Sequence, residues 1–191
     1  MTQGKQGELA VLTVGHSTRP IGEFIGLLKA HAVARVVDVR TVPRSRRNPQ
    51  FGQDALPGAL AAAGIGYTHL PALGGLRRAR PDSINTGWRN TSFRGYADYM
   101  QTPQFAAALE AAIALGKKER IALMCAEAVP WRCHRSLIAD ALLARGIGVD
   151  DISSPTRRSP HKLTQFARVR GTEITYPPEG GATDDLFEKG S

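Results

Sequence analysis

The segment RIALMCAEAVPWRCHRSLIADALLARG, residues 120–146, contains a complete strand, loop and helix, and this unit decides the predicted fold. Its first six residues are mostly apolar, which is typical of a strand that is buried on both faces. After the loop, apolar residues recur at helical spacing from Arg132 to Arg145, and Gly146 can end the helix in the left-handed conformation. The polar residues between strand and helix include both cysteines of the chain, a glutamate, a histidine and two arginines.

The same alternation of strand and helix runs along the chain. Four more apolar segments favour strands, at residues 8–15, 34–40, 65–70 and 148–152. Helices are predicted after Pro20, over residues 54–64, and after the Thr102–Pro103 pair. This alternation is typical of an α/β fold with a mostly parallel central sheet and helices on both faces, which is a three-layer sandwich with a Rossmann-like layout.

Two other segments complete the predicted organisation. Residues 71–92 have no clear period and indicate a long loop, while residues 167–176 favour a hairpin. We therefore predict a single α/β domain over residues 8–176 and a disordered C-terminal tail over residues 177–191.

The charge of the chain is strongly basic. Its 191 residues carry a formal net charge of +8, and the 25 basic residues comprise 19 arginines and six lysines. Because the arginine fork suits phosphate, this excess favours nucleic acid or a phosphorylated small molecule as the partner. A GC-rich genome, which raises arginine and alanine together, would explain the same excess, and both interpretations stay open at this point.

The hydrophobic pattern argues against a membrane protein. No apolar run approaches the ~20 residues that cross a bilayer, and the N-terminal residues MTQGKQGE lack the apolar core of a secretory signal. We expect no membrane attachment and a cytoplasmic location in which both cysteines stay reduced. The sequence leaves the oligomeric state open.

The polar segments all follow predicted strands. These segments are GHSTR (15–19), RTVPRSRR (40–47), the loop over residues 71–92, and CAEAVPWRCHR (125–135). The carboxyl ends of parallel strands meet at one edge of the sheet, and ligands bind outside that edge. The sequence therefore predicts one site that is built from four loops.

The ordered motifs resemble a known family. The motifs TVGHST, VVDVRTVPRSRR, YTHLPALGG, FRGYADYM, LMCAEAVPWRCHRSLIADAL and HKLTQFARVRGTEITYP together look like domain-of-unknown-function family 488, from about Val11 to Tyr176. The resemblance implies an α/β sandwich and a site built from these motifs, and it implies no established reaction. Where the family commonly carries a His-Ile pair after the last strand, this chain has Asp151-Ile152.

A weaker similarity is to rhodanese-like sulfurtransferases, which place a reactive cysteine at the head of a strand-to-helix loop. Residues VVDVR (36–40) and the position of Cys125 are similar in layout. The loop after Cys125 lacks the glycine and the short spacing of that motif, so the similarity concerns layout alone.

Five residues are candidates for catalysis: Cys125, Glu127, Cys133, His134 and His16. Glu127 and His134 are suited to proton transfer, and a thiol beside arginines and a helix start has a lowered pKa. Three of these candidates have a structural alternative. Cys125 could pack in the core, His134 could bind a loop carbonyl, and Glu127 could hold the neighbouring arginines.

Seven residues suited to phosphate or base contacts form the expected substrate-binding set: Ser17, Arg40, Arg44, Arg46, Arg132, Arg135 and Trp88. Asp38 shares a strand face with Arg40, and we expect it to hold either Arg40 or a residue of the loop over 125–135.

The sequence requires no cofactor. Cysteine, histidine and glutamate supply ligand types for zinc or iron, but the seven-residue gap between the cysteines is not a zinc-finger spacing. We therefore assign no metal ligands.

Three functions follow from these residues. The leading hypothesis is an enzyme that acts on nucleic acid or a phosphorylated nucleotide-like substrate, with the reaction class left open. The alternatives are a thiol-dependent enzyme of sulfurtransferase-like or redox type, and a nucleic-acid-binding module without turnover.

Overall fold

The computed structural model describes residues 10–180, which form eight strands and five α-helices. The strands are β1 (Ala10–Gly15), β2 (Arg35–Asp38), β3 (Gly66–His69), β4 (Ile121–Cys125), β5 (Gly148–Ser154), β6 (Arg157–Pro160), β7 (Arg168–Arg170) and β8 (Glu173–Thr175). The helices are α1 (Ile21–Ala30), α2 (Leu56–Ala62), α3 (Thr91–Tyr99), α4 (Pro103–Lys118) and α5 (Arg135–Leu143). Short 3-10 turns occupy Pro49–Phe51, Pro71–Leu73 and Pro130–Arg132.

Six of the strands form one sheet in the order β3-β2-β4-β1-β5-β6. The first five of these are parallel to one another, and β6 pairs with β5 in the antiparallel sense. Strands β7 and β8 form the separate hairpin that the sequence predicts. The predicted three-layer α/β fold with a mostly parallel sheet is confirmed.

Two cores lie on opposite faces of this sheet. Residues of α1 and α2 pack on one face with Ala122 and Met124 of β4, and residues of α3, α4 and α5 pack on the other with Leu123 and Cys125. Strand β4 is buried on both faces and is therefore apolar throughout, as a central parallel strand must be. The alternation places the Cys125 side chain on the same face of the sheet as α5.

Two elements have no counterpart in the sequence prediction. Helix α3 buries four consecutive residues, Gly95 to Asp98, so it shows no helical period. A Cβ at Gly95 would lie 2.2 Å from the Arg77 carbonyl oxygen, which explains a glycine inside a helix. Strand β6 is an edge strand with all four residues exposed, so it lacks the alternation that marks a half-buried strand.

Part of the predicted organisation lies outside the described residues. These are residues 8 and 9 of the predicted domain and residues 181–191 of the predicted tail. Within residues 10–180, no helix is long and apolar enough to cross a membrane.

The loops after β1 and β4 are joined by backbone hydrogen bonds. The His16 and Ser17 amides donate to the Cys125 and Ala126 carbonyls at 2.9 and 3.0 Å, which extends the β1–β4 pairing beyond both strands. Gly15 permits this approach, because a Cβ there would lie 1.9 Å from the Glu127 carbonyl oxygen.

We expect Gly15→Ala to destabilise the protein by about 1–3 kcal/mol, because the new methyl group must push two backbones apart. Gly26→Ala is the matched control, since nothing lies within 4 Å of a Cβ at this helical position. It should stabilise the protein by about 0.5–1 kcal/mol. Urea unfolding measures both changes, and equal effects of the two variants would contradict the packing argument.

A buried carboxylate holds the C-terminal segment against α5. Asp140 is fully buried and accepts hydrogen bonds from His161 Nε2 at 2.8 Å, Thr164 Oγ1 at 2.7 Å and the Tyr176 hydroxyl at 2.8 Å. Burial alone would lower the pKa of His161, but its hydrogen bonds and charge interactions with Asp140 and Asp151 raise that pKa to about 9.

The interaction of protonated His161 with Asp140 and Asp151 predicts a loss of protein stability at alkaline pH. The folded-state pKa of His161 lies above its unfolded value of ~6.5. The protonated imidazole therefore contributes its full stabilisation below pH ~6.5, and the contribution disappears as the pH rises through about 9. Unfolding midpoints across this range should fall for the wild type and stay flatter for His161→Gln. Parallel curves for the two proteins would contradict the assignment.

Candidate functional site

Two adjoining cavities lie at the carboxyl edge of the sheet. The first, which we call the thiol cleft, has a volume of about 420 Å³ and is lined by Cys125, Cys133, His134, Arg132 and Tyr96 among others. The second, which we call the polar cavity, has a volume of about 340 Å³ and is lined by His16, Ser17, Thr18, Arg40, Arg44 and Asn48 among others. Arg40, Val42, Ala126 and Glu127 line both cavities, so the predicted loops do meet at one place.

The two cysteines are in direct contact at the floor of the thiol cleft. Their Sγ atoms are 2.7 Å apart, with Cys133 donating to Cys125, and both residues are buried. Cys125 ends β4, whereas Cys133 lies two residues before the start of α5, so the fold brings together two thiols that are eight residues apart. Cys125 packs in the core and also lines the cleft.

A buried arginine lies against this pair. Arg135 is 1% exposed, and its Nη1 donates to Cys125 Sγ at 2.8 Å and to the Glu127 carbonyl at 2.7 Å. Its Nη2 donates to the Ala128 carbonyl at 3.1 Å. Within residues 10–180, no carboxylate forms an ion pair with Arg135. A buried guanidinium is costly unless an opposite charge compensates it, and Cys125 sulfur is the contacting atom that can carry one.

The hydrogen bond from Cys133 and the charge of Arg135 lower the pKa of Cys125 well below the ordinary value of a thiol, against the opposing effect of burial. The pKa of Cys133 is raised, because it donates its proton to Cys125 and is itself buried. Of the two thiols, Cys125 is therefore the one that ionises first, and Cys133 keeps its proton.

His134 is oriented as a proton acceptor for Cys133. Its Nε2 donates to the Val39 carbonyl at 3.0 Å, which leaves the Nδ1 lone pair 3.6 Å from Cys133 Sγ. Burial lowers the pKa of His134, so the imidazole is neutral near pH 7. The Tyr96 ring packs beside it, with ring centroids 5.0 Å apart. His134 thus makes the expected contact with a loop carbonyl, and its other ring nitrogen faces Cys133.

Asp38 holds Arg40 between the two cavities. The Arg40 Nε and Nη2 donate to the two carboxylate oxygens of Asp38 at 2.8 and 2.6 Å, and the Tyr67 hydroxyl also donates to Asp38 at 2.7 Å. The remaining terminal nitrogen, Nη1, lies 3.3 Å from His16 Nε2. Of the two roles expected for Asp38, the structure shows the one with Arg40.

His16 is a buried, neutral imidazole. Its Nδ1 donates to the Ser17 carbonyl at 2.8 Å, and its ring stacks on Phe51 at 4.1 Å. Burial lowers the pKa of His16 to about 4. Ser17 has a φ of 52°, which is uncommon for a residue other than glycine and is characteristic of strained functional sites.

The other predicted residues differ in their positions. Glu127 is exposed at the junction of the cavities, and its Oε1 accepts from the Val129 amide at 3.1 Å. Arg132 lines the thiol cleft and Arg44 lines the polar cavity, whereas Arg46 is exposed and lines neither. Trp88 lines neither cavity; it packs in an aromatic cluster with Phe93, Phe166 and Tyr176, of which Phe93 also lines the thiol cleft.

The sequence prediction did not assign three residues that support the side chains of this candidate site. Tyr67 donates to Asp38, Tyr96 packs on His134, and Gly75 leaves room for His134, because a Cβ there would lie 3.2 Å from Nδ1. The glycine pair at residues 74 and 75 is the sequence signal of this close approach.

The family model described as "Domain of unknown function DUF488" matches residues 20–142, which is more than half of the chain. The chain belongs to this family. The matched DUF488 segment contains Asp38, Arg40, both cysteines and Arg135, while Gly15 and His16 precede it. No curated protein and no solved structure matched the chain. Within residues 10–180 no group of three or more His, Cys, Asp or Glu residues is placed to hold a metal ion.

The thiolate assignment predicts the pH dependence of alkylation. Cys125 should react with iodoacetamide along a titration curve whose midpoint lies below the ~8.5 of a free thiol. Cys133→Ala should raise the midpoint, because Cys125 loses the hydrogen bond that stabilises its charge. Peptide mass analysis after timed labelling identifies the modified residue, with Cys125→Ser as the control. A midpoint at or above the free-thiol value would show that Cys125 is an ordinary core cysteine.

Proposed function

We propose that the protein is a thiol–disulfide oxidoreductase, with Cys125 as the attacking thiolate and Cys133 as the second thiol. The observation that supports this is the arrangement of three groups beneath one cleft. Cys125 Sγ accepts from Cys133 Sγ at 2.7 Å and from the Arg135 guanidinium at 2.8 Å, and both cysteines line the cleft. Reactive cysteines occur in such electropositive surroundings.

In the first step, the Cys125 thiolate attacks one sulfur of a substrate disulfide. A bond forms between Cys125 and that sulfur, the substrate S–S bond breaks, and the second substrate sulfur leaves as a thiolate that takes up a proton. The negative charge thereby moves from Cys125 to the leaving group.

In the second step, His134 Nδ1 accepts the proton of Cys133, 3.6 Å away. The Cys133 thiolate attacks Cys125 Sγ, forms the Cys125–Cys133 disulfide and releases the remaining substrate thiolate, which is protonated by His134. The substrate disulfide gains two electrons from the protein pair and two protons, one from Cys133 by way of His134 and one from solvent. Two exchanges with a low-molecular-weight cellular thiol return the protein to its reduced form.

This proposal follows the thiol alternative rather than the leading sequence hypothesis. Glu127 is exposed and bound to its own loop, and the Nδ1 atom of His134 faces a thiol. The geometry thus favours sulfur chemistry over an acid–base reaction between Glu127 and His134. A phosphorylated substrate remains compatible with the thiol site, because Arg44 and Arg132 line the adjoining cavities.

Oxidised glutathione provides a direct test. The wild type should lose both free thiols, whereas Cys133→Ser should accumulate a mixed disulfide with glutathione at Cys125, because the second thiol that resolves it is missing. Cys125→Ser should not form a glutathione adduct at the rate that Cys133→Ser does. Intact mass spectrometry with and without dithiothreitol distinguishes these species.

His134→Gln separates the two steps of the same reaction. It should leave formation of the mixed disulfide intact and slow its resolution by about 100-fold, because the base for Cys133 is lost. A wild type that retains both thiols under these conditions, or a Cys133→Ser variant without adduct, would contradict the proposal.

A further inference from the structure

We infer that the polar cavity binds a phosphate group of the small substrate whose sulfur reacts at Cys125. This inference rests on the proposed thiol chemistry and specifies its substrate class. The polar cavity and the thiol cleft share a wall made by Arg40, Val42, Ala126 and Glu127, so one ligand can reach both.

Arg40 is the fixed donor of this cavity. The residue is 8% exposed, and its Nε and Nη2 are held by Asp38 and the Phe51 carbonyl, which lies 2.9 Å from Nη2. Nη1 carries two hydrogens, and its partner within residues 10–180 is His16 Nε2 at 3.3 Å. One N–H of a preorganised guanidinium therefore remains available to a ligand oxygen.

His16 fixes the orientation of Arg40. Because the His16 Nδ1 proton is directed to the Ser17 carbonyl, Nε2 is an acceptor and holds Nη1 beside the cavity. Desolvation keeps the imidazole neutral, so it orients the arginine without adding a charge of its own. The hydroxyls of Ser17 and Thr18 supply further donors in the same cavity.

The balance of charge at the two cavities favours an anion. Asp38 offsets the charge of Arg40 and is itself fully buried behind it, out of contact with solvent. Arg44 and Arg132 line the cavities and have no acidic partner within residues 10–180, while Glu127 is the opposing exposed carboxylate. Two exposed positive charges thus face one negative charge.

The size of the polar cavity favours a phosphate group on a small molecule over a nucleic-acid backbone. At about 340 Å³ it accommodates one compact polar group. Among the described residues, no Phe, Tyr or Trp lines the polar cavity, so it lacks the stacked aromatic rings that single-stranded nucleic acid requires.

The test compares two disulfides of the same skeleton, bis(2-hydroxyethyl) disulfide and its bis-phosphate ester. The wild type should reduce both, with a KM about tenfold lower for the phosphate ester, as one charge-assisted contact provides. Inorganic phosphate should inhibit reduction of the phosphate ester competitively. This inhibition should weaken as salt is added.

Three substitutions resolve the origin of the preference. Arg44→Gln should raise the KM of the phosphate ester about tenfold and leave that of the neutral disulfide unchanged, since a charged contact is lost. Glu127→Gln should lower the KM of the ester, because it removes the opposing charge. Arg47→Gln is the control: Arg47 is an exposed arginine of the same loop that lines neither cavity, and its loss should have little effect.

The outcomes separate the two proposals. Failure of the wild type to reduce either disulfide would overturn the proposed function. Reduction of both disulfides with equal KM, or equal effects of Arg44→Gln and Arg47→Gln, would overturn the phosphate subsite alone. Inhibition by a short single-stranded oligonucleotide but not by inorganic phosphate would also overturn it, in favour of a nucleic-acid surface.

Discussion

The site depends on one buried guanidinium that has no carboxylate partner. Arg135 joins three parts of the fold, because it belongs to the first turn of α5 and donates both to the end of β4 and to the loop carbonyls of Glu127 and Ala128. Removing a cation from water is expensive, and the Arg135 guanidinium has three acceptors here: two at Nη1 and one at Nη2. One of the three, the Cys125 sulfur, is able to carry a full negative charge. The charge state of Cys125 is therefore tied to the stability of the buried Arg135.

The surrounding backbone keeps that arrangement in place. The hydrogen bonds from His16 and Ser17 to the Cys125 and Ala126 carbonyls hold the loop after β4 against the loop after β1. On the other side, the Val39 carbonyl fixes His134, and the Asp38 carboxylate fixes Arg40. His134 and Arg40 are thus oriented by residues at or next to the end of β2, which is the kind of support that a preorganised site requires.

The fold and the location of the site could be predicted from sequence, because both depend on local patterns. Apolar runs alternating with helical periods predict a parallel sheet, and its topology brings the loops after the strands to one edge. The pairing inside the site depends instead on tertiary contacts. The spacing of Cys125 and Cys133 does not reveal that their sulfurs meet, and an arginine at a helix start suggests an anion site, whereas Arg135 is turned toward the protein interior. Helix α3 was missed for a similar reason, since its buried residues are consecutive.

The charge of Arg135 also bears on the energetics of oxidation. A disulfide between Cys125 and Cys133 would be neutral, so the guanidinium would lose the anion that compensates it while remaining shielded from water. The reduced state is therefore favoured, so an excess of a substrate disulfide would be needed to oxidise the pair, and a low-molecular-weight thiol would readily return it to the dithiol form. The dithiol is thus the low-energy form of the pair, and the disulfide would be its high-energy form.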